Sequence, residues 1–335
     1  MKVAIIGCGK IFPRHFESIQ KNKNFSLVAL CDTNKEIVEN LSRKHKVSGY
    51  VFYKEMLKKE SIDLAVIATP NSMHFKQAKH CLRSGVDVLI EKPASLSPEK
   101  IKKIEKIAKQ NKKNAYCVLQ VRLNPVVQKV KKLLEKNILG EIRGISLVQR
   151  WQRPVEYFSD WRGDPTIGGG TLHECGIHYL DILCYLFGRP EIVSSKSYNT
   201  KHKATQIEDT IYSILDYGKF GGTVEVTISA EPKNIECSIS ILTDRAFLKI
   251  GGLALDKVEE VKFLDNEVKF KKKYDKLMKD LSNPREINSY GAYSGSCPNH
   301  PELYRNLDDF NISEAYSSLK MIEKIYEKCG VEYSE

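Results

Sequence analysis

Four short, almost wholly apolar runs punctuate the first part of the chain: VAII at 3–6, FSLVALC at 25–31, DLAVIA at 63–68 and VDVLI at 86–90. Each is too short for an ordinary helix and shows no polar alternation, so each reads as a strand buried on both faces. Between them the period lengthens to that of helices: after the glycines at 7 and 9, over 36–45, and in the stretch that opens TPNSMHFKQA at 69, where Asn71 is placed to cap the helix. Strand and helix in alternation predict an α/β domain, a doubly wound parallel sheet with helices on both sides. Ligands of such sheets collect at the carboxyl ends of the strands, and Gly7, Asp32, Thr69 and Lys92 all fall there.

After residue 120 the pattern changes. Residues 141–151, 208–216, 222–229 and 237–242 alternate apolar and polar, with turn sequences such as YGKFGG between them, which predicts half-exposed strands. A last helical pattern covers 311–328 and is expected to pack back across the chain. A length of 335 residues also favours two domains, set here at 1–120 for a nucleotide-binding Rossmann domain and 121–335 for a substrate-binding and oligomerisation domain.

Composition removes several function classes. The opening apolar run is too short for a signal peptide or a membrane span, which predicts a cytoplasmic protein without membrane contact. Nine cysteines stand without a C-x-x-C pair, so they read as reduced thiols, neither a disulfide frame nor a zinc cluster, and no metal is expected. A formal net charge of +11 raises the question of nucleic acid. The lysines, however, crowd helical stretches such as 100–113 and the run at 271–273, and no nucleic-acid signature accompanies them. They read as solvated faces whose field also favours an anionic substrate or a dinucleotide.

The glycine turn carries the first chemical signal. Gly7 and Gly9 join the first strand to its helix, and the second strand closes on Asp32, 25 residues after Gly7. Glycines admit a pyrophosphate to the backbone, the helix N-terminus favours its charge, and an acid closing the second strand accepts from ribose hydroxyls. Thr33 and Asn34 follow Asp32 and no arginine stands ready for a 2′-phosphate, which favours NAD over NADP. Phe12, followed by Pro13, replaces the third glycine of the usual pattern, so the helix is expected to pack differently there.

The second signal is GGGTLHECGIHYLDIL at 168–183. It is spelled like the zinc-protease pattern H-E-x-x-H but reads H-E-x-x-x-H. At about 100° per residue, His173 and His178 are separated by roughly 140°, too far to hold one ion from one helix face. Glu174, His178 and Asp181 instead stand at i, i+4 and i+7 and share a stripe, which leaves an acid/base face.

Taken together, GCGKI at 7–11, TPNSMH at 69–74, EKP at 91–93 and the GGGTLHECGIHYLD segment resemble the glucose-fructose oxidoreductase, inositol dehydrogenase and rhizopine-catabolism (Gfo/Idh/MocA) family. The resemblance spans nearly the whole chain. It implies a Rossmann domain followed by an α/β domain on an open, mostly antiparallel sheet that offers the substrate surface and often the oligomer contact. It assigns Gly7, Gly9, Lys10, Ile11 and Asp32 to NAD, with Thr69, Asn71, His74, Glu91 and Lys92 completing that side. Lys92 and His178 match the lysine and histidine that act near the reacting carbinol in the family, while Glu174 stands where aspartate or asparagine is usual. Removing a hydride from a secondary alcohol also requires removing its hydroxyl proton, which a histidine suits near neutral pH. The expected roles are therefore His178 as general acid/base and Lys92 as the cationic donor on the oxygen. Glu174 or Asp181 is expected to orient the imidazole.

QVRLNP at 120–125, QRW at 149–151 and YFSDWRGDPTIGGG at 157–170 resemble a narrower branch of that family. That branch oxidises the 3-hydroxyl of UDP-N-acetylglucosaminuronic acid during surface-polysaccharide synthesis. Such a substrate is anionic, and Arg122, Arg153 and Arg162 are candidate ligands for its pyrophosphate or carboxylate, with Arg150 a further possible one. Tyr157 and Trp161 are candidates to stack on sugar or base. GSCPNHPELY at 295–304 offers Asn299 and His300 from a loop in which Pro298 and Pro301 rule out a regular helix. Two other readings stay open: the same chemistry on a free sugar, inositol or polyol, and an NAD(H)-sensing protein without turnover. A homo-oligomer, dimer or tetramer, is expected.

Overall fold

The computed structural model describes residues 1–252, 254–281 and 299–331. The first sheet contains β1 (Lys2–Ile6), β2 (Ser26–Cys31), β3 (Ser48–Tyr50), β4 (Leu64–Ile67), β5 (Asp87–Ile90) and β6 (Ala115–Cys117). All its pairings are parallel, in the order β3-β2-β1-β4-β5-β6. Val3, Ala4, Ile5 and all of β4 are fully buried, as strands without alternation require when helices lie on both faces. Those helices are α1 (Phe12–Gln20), α2 (Lys35–His45), α3 (Tyr53–Lys59), α4 (His74–Arg83) and α5 (Pro98–Gln110). The strand order reverses between β1 and β4, and the crevice outside their carboxyl ends receives the glycine turn.

Phe12 is only 4% exposed and lies over Phe16 at 5.9 Å, so a large apolar ring fills the core position where a third glycine would let the backbone approach. Pro13 falls in the first turn of α1, where a missing N–H costs nothing.

The second sheet has the order β13-β12-β11-β7-β10-β9-β8. Its strands are β7 (Ile142–Arg150), β8 (Glu191–Tyr198), β9 (Thr210–Asp216), β10 (Gly221–Thr227), β11 (Glu236–Thr243), β12 (Ala246–Gly251) and β13 (Lys257–Phe263). Only β7 and β10 run parallel; the remaining pairs are antiparallel. Burial alternates along β9 and β10. The inner face packs under α6 (Pro125–Glu135), α7 (Ile177–Phe187) and α10 (Tyr316–Cys329), with α8 (Val268–Met278) beyond α6. The outer face is open and exposes Tyr198, Tyr212 and Ile214.

The chain then returns to the first sheet. The short helix α9 (His300–Arg305) packs on α1, and Asn311 bridges Tyr116 of β6 before α10 crosses to β8. One apolar core runs through both sheets, so their facing ends are held together by packing.

Candidate active site

The glycine turn is tied to the end of β2. Gly7 N–H donates to Cys31 O at 2.8 Å, and Asp32 accepts from Cys8 N–H at 2.8 Å and from Asn34 N–H at 2.9 Å. These bonds fix the Asp32 carboxylate beside the turn. Gly7 has φ +100°, and a Cβ there would lie 2.4 Å from Ala68 O, so no other residue fits. Gly9 is different: a Cβ would meet nothing within 4 Å, and Gly9 and Lys10 are exposed. Ile11 precedes α1 without a side-chain cap. The turn therefore presents backbone to an open crevice at a helix N-terminus, with an anchored acid at its side, and these residues fit a dinucleotide.

The next two strand ends are lashed to one another. His74 lies buried between Thr69 O and Pro93 O, each 2.8 Å from a ring nitrogen, and burial pushes its pKa down. The Thr69 hydroxyl bonds Gln77 at 2.6 Å. Asn71 does not cap α4; its amide donates to Gly168 O at 2.9 Å, stitching the first domain to the glycine-rich segment of the second. The side chains of Thr69, Asn71 and His74 thus bond within the fold and tie the strand ends together at the crevice. Glu91 likewise turns inward, to His15 and His300. Lys92 points the other way. Its ammonium donates to the backbone oxygen of Glu174 at 2.9 Å, across the junction between the domains.

That oxygen is presented by an irregular turn. Leu172–Gly176 is a π-helical turn that runs directly into α7, so the 100° progression assumed for the HECGIH stretch does not hold across it. The donors that open this helix are satisfied from afar. Glu208 accepts Thr171 N–H at 2.8 Å and Tyr326 Oη–H at 2.7 Å, while Tyr326 Oη accepts Leu172 N–H at 3.0 Å. His173 bonds Gly169 O, is fully enclosed and has its pKa pushed down to about 4 by burial.

The expected stripe of Glu174, His178 and Asp181 does not form. The Glu174 carboxylate accepts from Tyr157 Oη at 2.7 Å and faces Arg162 Nε at 3.4 Å. Asp181 is buried on a bidentate pair with Arg122, at 2.7 and 2.8 Å. Neither orients the imidazole, whose nitrogens have no hydrogen-bond partner among the described residues. Burial first, and the Lys92 ammonium second, push His178 down to about 3, so it is a neutral imidazole within electrostatic reach of Lys92.

Arg122, expected as a substrate ligand, is instead committed within the fold: besides Asp181 it bonds Glu314 at 2.7 Å, and it is 6% exposed. Its guanidinium is spent inside the fold. Arg150 holds Glu225 and Glu236, partly exposed. The other cations gather around Tyr157. Arg162 lies 5.1 Å, Arg153 5.5 Å and Lys10 5.6 Å from its ring centre, and Arg162 also covers Trp161 at 4.6 Å. Tyr157, Trp161, Arg153 and Arg162 are half-buried. The cluster joins the glycine turn, through Lys10, to the Glu174 carboxylate.

Asn299 and His300 are buried, and Pro301 occupies the first turn of α9 instead of preventing a helix. Residues 295–298 lie outside the described residues. Asn299 donates to Gln120 O at 3.3 Å.

Two family models match this chain: an oxidoreductase family with an NAD-binding Rossmann fold over residues 1–119, and the Gfo/Idh/MocA C-terminal domain over 127–249. The chain belongs to the Gfo/Idh/MocA family. Among solved structures, the WlbA dehydrogenase of Bordetella pertussis, with NADH and UDP-GlcNAcA, is 27% identical. It superposes with a TM-score of 0.84 over 98% of this chain and 95% of that one. The WlbA dehydrogenase of Chromobacterium violaceum, with the same two ligands, is 25% identical, with a TM-score of 0.85 over 98% and 94%. Escherichia coli D-glucoside 3-dehydrogenase is 26% identical over 69% of this chain and 64% of its own length. The chain is an oxidoreductase and its cofactor is NAD.

Sequence reasoning missed His15, Glu208, Tyr304 and Tyr326. His15 carried a signal: it is a polar residue on the same face of α1 as buried Phe12 and Ile19. Glu208 and Tyr326 gave none, because each meets the π turn from a distant part of the chain.

Proposed function

We propose that this protein is an NAD-dependent dehydrogenase that oxidises a secondary hydroxyl, at C3, of a nucleotide-linked amino-uronic sugar such as UDP-N-acetylglucosaminuronic acid. The observation that carries this reading is the meeting of Lys92, from the first domain, with the π turn that leads into His178, from the second. A neutral imidazole with uncommitted nitrogens accepts the hydroxyl proton. The ammonium donates to the same oxygen and stabilises its charge as the carbon–hydrogen bond breaks. When bound, NAD takes the hydride. Arg153, Arg162 and Lys10, gathered at Tyr157 beside the crevice, suit the phosphate and carboxylate charge of that substrate class.

NADH formation with a panel of UDP-uronic acids, UDP-hexoses and free polyols tests this. Turnover confined to the UDP-uronic acids supports it; turnover of free glycosides or inositol alone moves the substrate to the neutral sugars. NADH binding without turnover of any sugar removes the dehydrogenase reading. The same reading includes a homo-oligomer, supported by the open outer face of the second sheet, and sedimentation velocity reads the state directly.

A further inference from the structure

Behind Lys92 lies a closed set of titratable side chains that the proposed reaction does not use. His15 projects from α1, Glu91 from the end of β5, and His300 and Tyr304 from α9, and all four are buried. His15 Nε2 stands 3.0 Å and His300 Nε2 3.6 Å from one oxygen, Glu91 Oε1. The other, Oε2, accepts the backbone N–H of Lys92 at 3.1 Å. Tyr304 Oη bonds His15 Nδ1 at 2.9 Å, and the tautomer protonated on Nε2 satisfies this bond and the one to Glu91 together. The two imidazoles meet edge to face at 5.4 Å.

Two histidines and a glutamate also make a zinc-binding set. Here, however, His15 already commits one ring nitrogen to Glu91 and the other to Tyr304, and neither nitrogen of His300 makes a hydrogen bond among the described residues. What the cluster does is hold an anion. Burial pushes the Glu91 carboxyl up, but the bond from His15 and the His300 ring 3.6 Å away outweigh this and keep it well below the ordinary carboxylate range. A carboxylate bonded on one oxygen by His15, with the His300 ring 3.6 Å from the same oxygen, and on the other by the next residue's N–H has little freedom. The peptide that carries Lys92 shares that restraint.

We infer that His15, His300 and Glu91 are positioning residues for Lys92: His15 bonds the carboxylate, His300 packs against the same oxygen, and the carboxylate fixes the lysine backbone so that its ammonium reaches the Glu174 oxygen and the reacting hydroxyl. This rests on the reading that Lys92 works at that hydroxyl. Lys92 is therefore held at both ends, at its N–H from the first domain and at its ammonium from the second.

The test compares full-length wild type with His300→Leu, His300→Gln and Tyr304→Phe. One readout is single-turnover NADH formation with a sugar that the wild type oxidises, alongside NADH affinity by fluorescence. The other needs no substrate: the rate at which acetic anhydride labels Lys92, measured by peptide mass spectrometry against exposed Lys102 and Lys109. His300→Leu is expected to slow hydride transfer about tenfold or more, on the scale of a sub-ångström misplacement, with NADH affinity kept within about twofold. His300→Gln, which keeps a polar N–H group beside Glu91, recovers most of the rate. Lys92 labelling shifts in His300→Leu while the reference lysines do not change.

Unchanged transfer and unchanged labelling overturn the inference. So does a parallel fall in rate, NADH affinity and melting temperature that His300→Gln does not rescue, which is the mark of a purely structural role. If His300→Leu does not fold, Tyr304→Phe decides, since it deletes one hydroxyl: a smaller shift in the same direction supports the inference and no shift overturns it. If the wild type oxidises no sugar, the dehydrogenase reading falls, and Lys92 labelling alone still supports or overturns the positioning role.

Discussion

The Lys92 ammonium and the Glu174 backbone oxygen lie 2.9 Å apart, and this bond joins the first domain's EKP loop to the π turn that opens α7. It uses the main chain of Glu174 and leaves the carboxylate for Tyr157. Aspartate in place of Glu174 would preserve the first contact while drawing the carboxylate one methylene back from Tyr157. Lys92 is accordingly the residue whose loss is expected to affect chemistry most selectively. Lys92→Ala should slow single-turnover NADH formation by roughly 10²- to 10⁴-fold, the usual worth of a positioned proton-transfer or charge-stabilising group, with NADH affinity little changed. A variant that transfers hydride at the wild-type rate would remove Lys92 from the mechanism.

His178 sets a pH dependence whose sign follows from its environment. Its value is pushed from the ordinary 6.5 to about 3, so the unfolded chain takes up the proton first. Stability contributed by this group is intact above the unfolded value and is lost as pH falls through the window from 6.5 toward 3. His173, lowered to about 4, acts in the same direction. Melting temperature should therefore fall through this window, and His178→Asn should flatten the fall by removing one of the buried histidines that produce it. Melts of wild type and variant that run parallel from pH 7 to pH 4 would contradict this account. Lys92→Met should raise the His178 value, readable from its imidazole proton resonances.

Gly7 and Gly9 are expected to fail differently. At Gly7 an added methyl meets the Ala68 backbone oxygen at 2.4 Å and the φ of +100° disfavours any side chain, so Gly7→Ala should lower the melting temperature as well as NADH affinity. At Gly9 the same methyl meets no protein atom within 4 Å, so Gly9→Ala should melt like wild type and yet, if this turn receives the pyrophosphate, bind NADH about tenfold or more weakly. Equal NADH affinity in Gly9→Ala and wild type would move the pyrophosphate away from this turn.

Buried strands were legible because they write their burial as unbroken apolar runs, and β1, β2, β4 and β5 lie where those runs lie. The three-residue strands β3 and β6 are too short to show any period, and the outer strand β8 is exposed along most of its length. Lys92, His178 and the glycine turn were legible as motifs. The partners of Glu174 and Asp181 were not, for two physical reasons. A period of 3.6 residues presumes α-helix, and the π turn breaks that phase just ahead of His178. Side chains that look available in a sequence are also claimed by distant ones: Arg122 meets Asp181 across 59 positions, and His15 meets Glu91 across 76. Local patterns carry no record of such pairs.

Arg122 offers the sharpest separation between a binding and a structural role. Asp181 is 2% exposed and its two oxygens rest on the Arg122 guanidinium, so Arg122→Ala strands a buried carboxylate. Breaking such a pair costs roughly 3–5 kcal/mol, whereas replacing both partners by apolar residues of similar volume is often neutral. Arg122→Ala should therefore lower the melting temperature strongly, and Arg122→Met combined with Asp181→Leu should restore most of it. Michaelis constants in the rescued double variant should stay within about twofold of wild type, since the guanidinium does not face the crevice. If the stability returns but the Michaelis constant for the sugar rises about tenfold or more, Arg122 reaches the substrate after all, and the Arg153 and Arg162 cluster would no longer be sufficient to explain anion recognition.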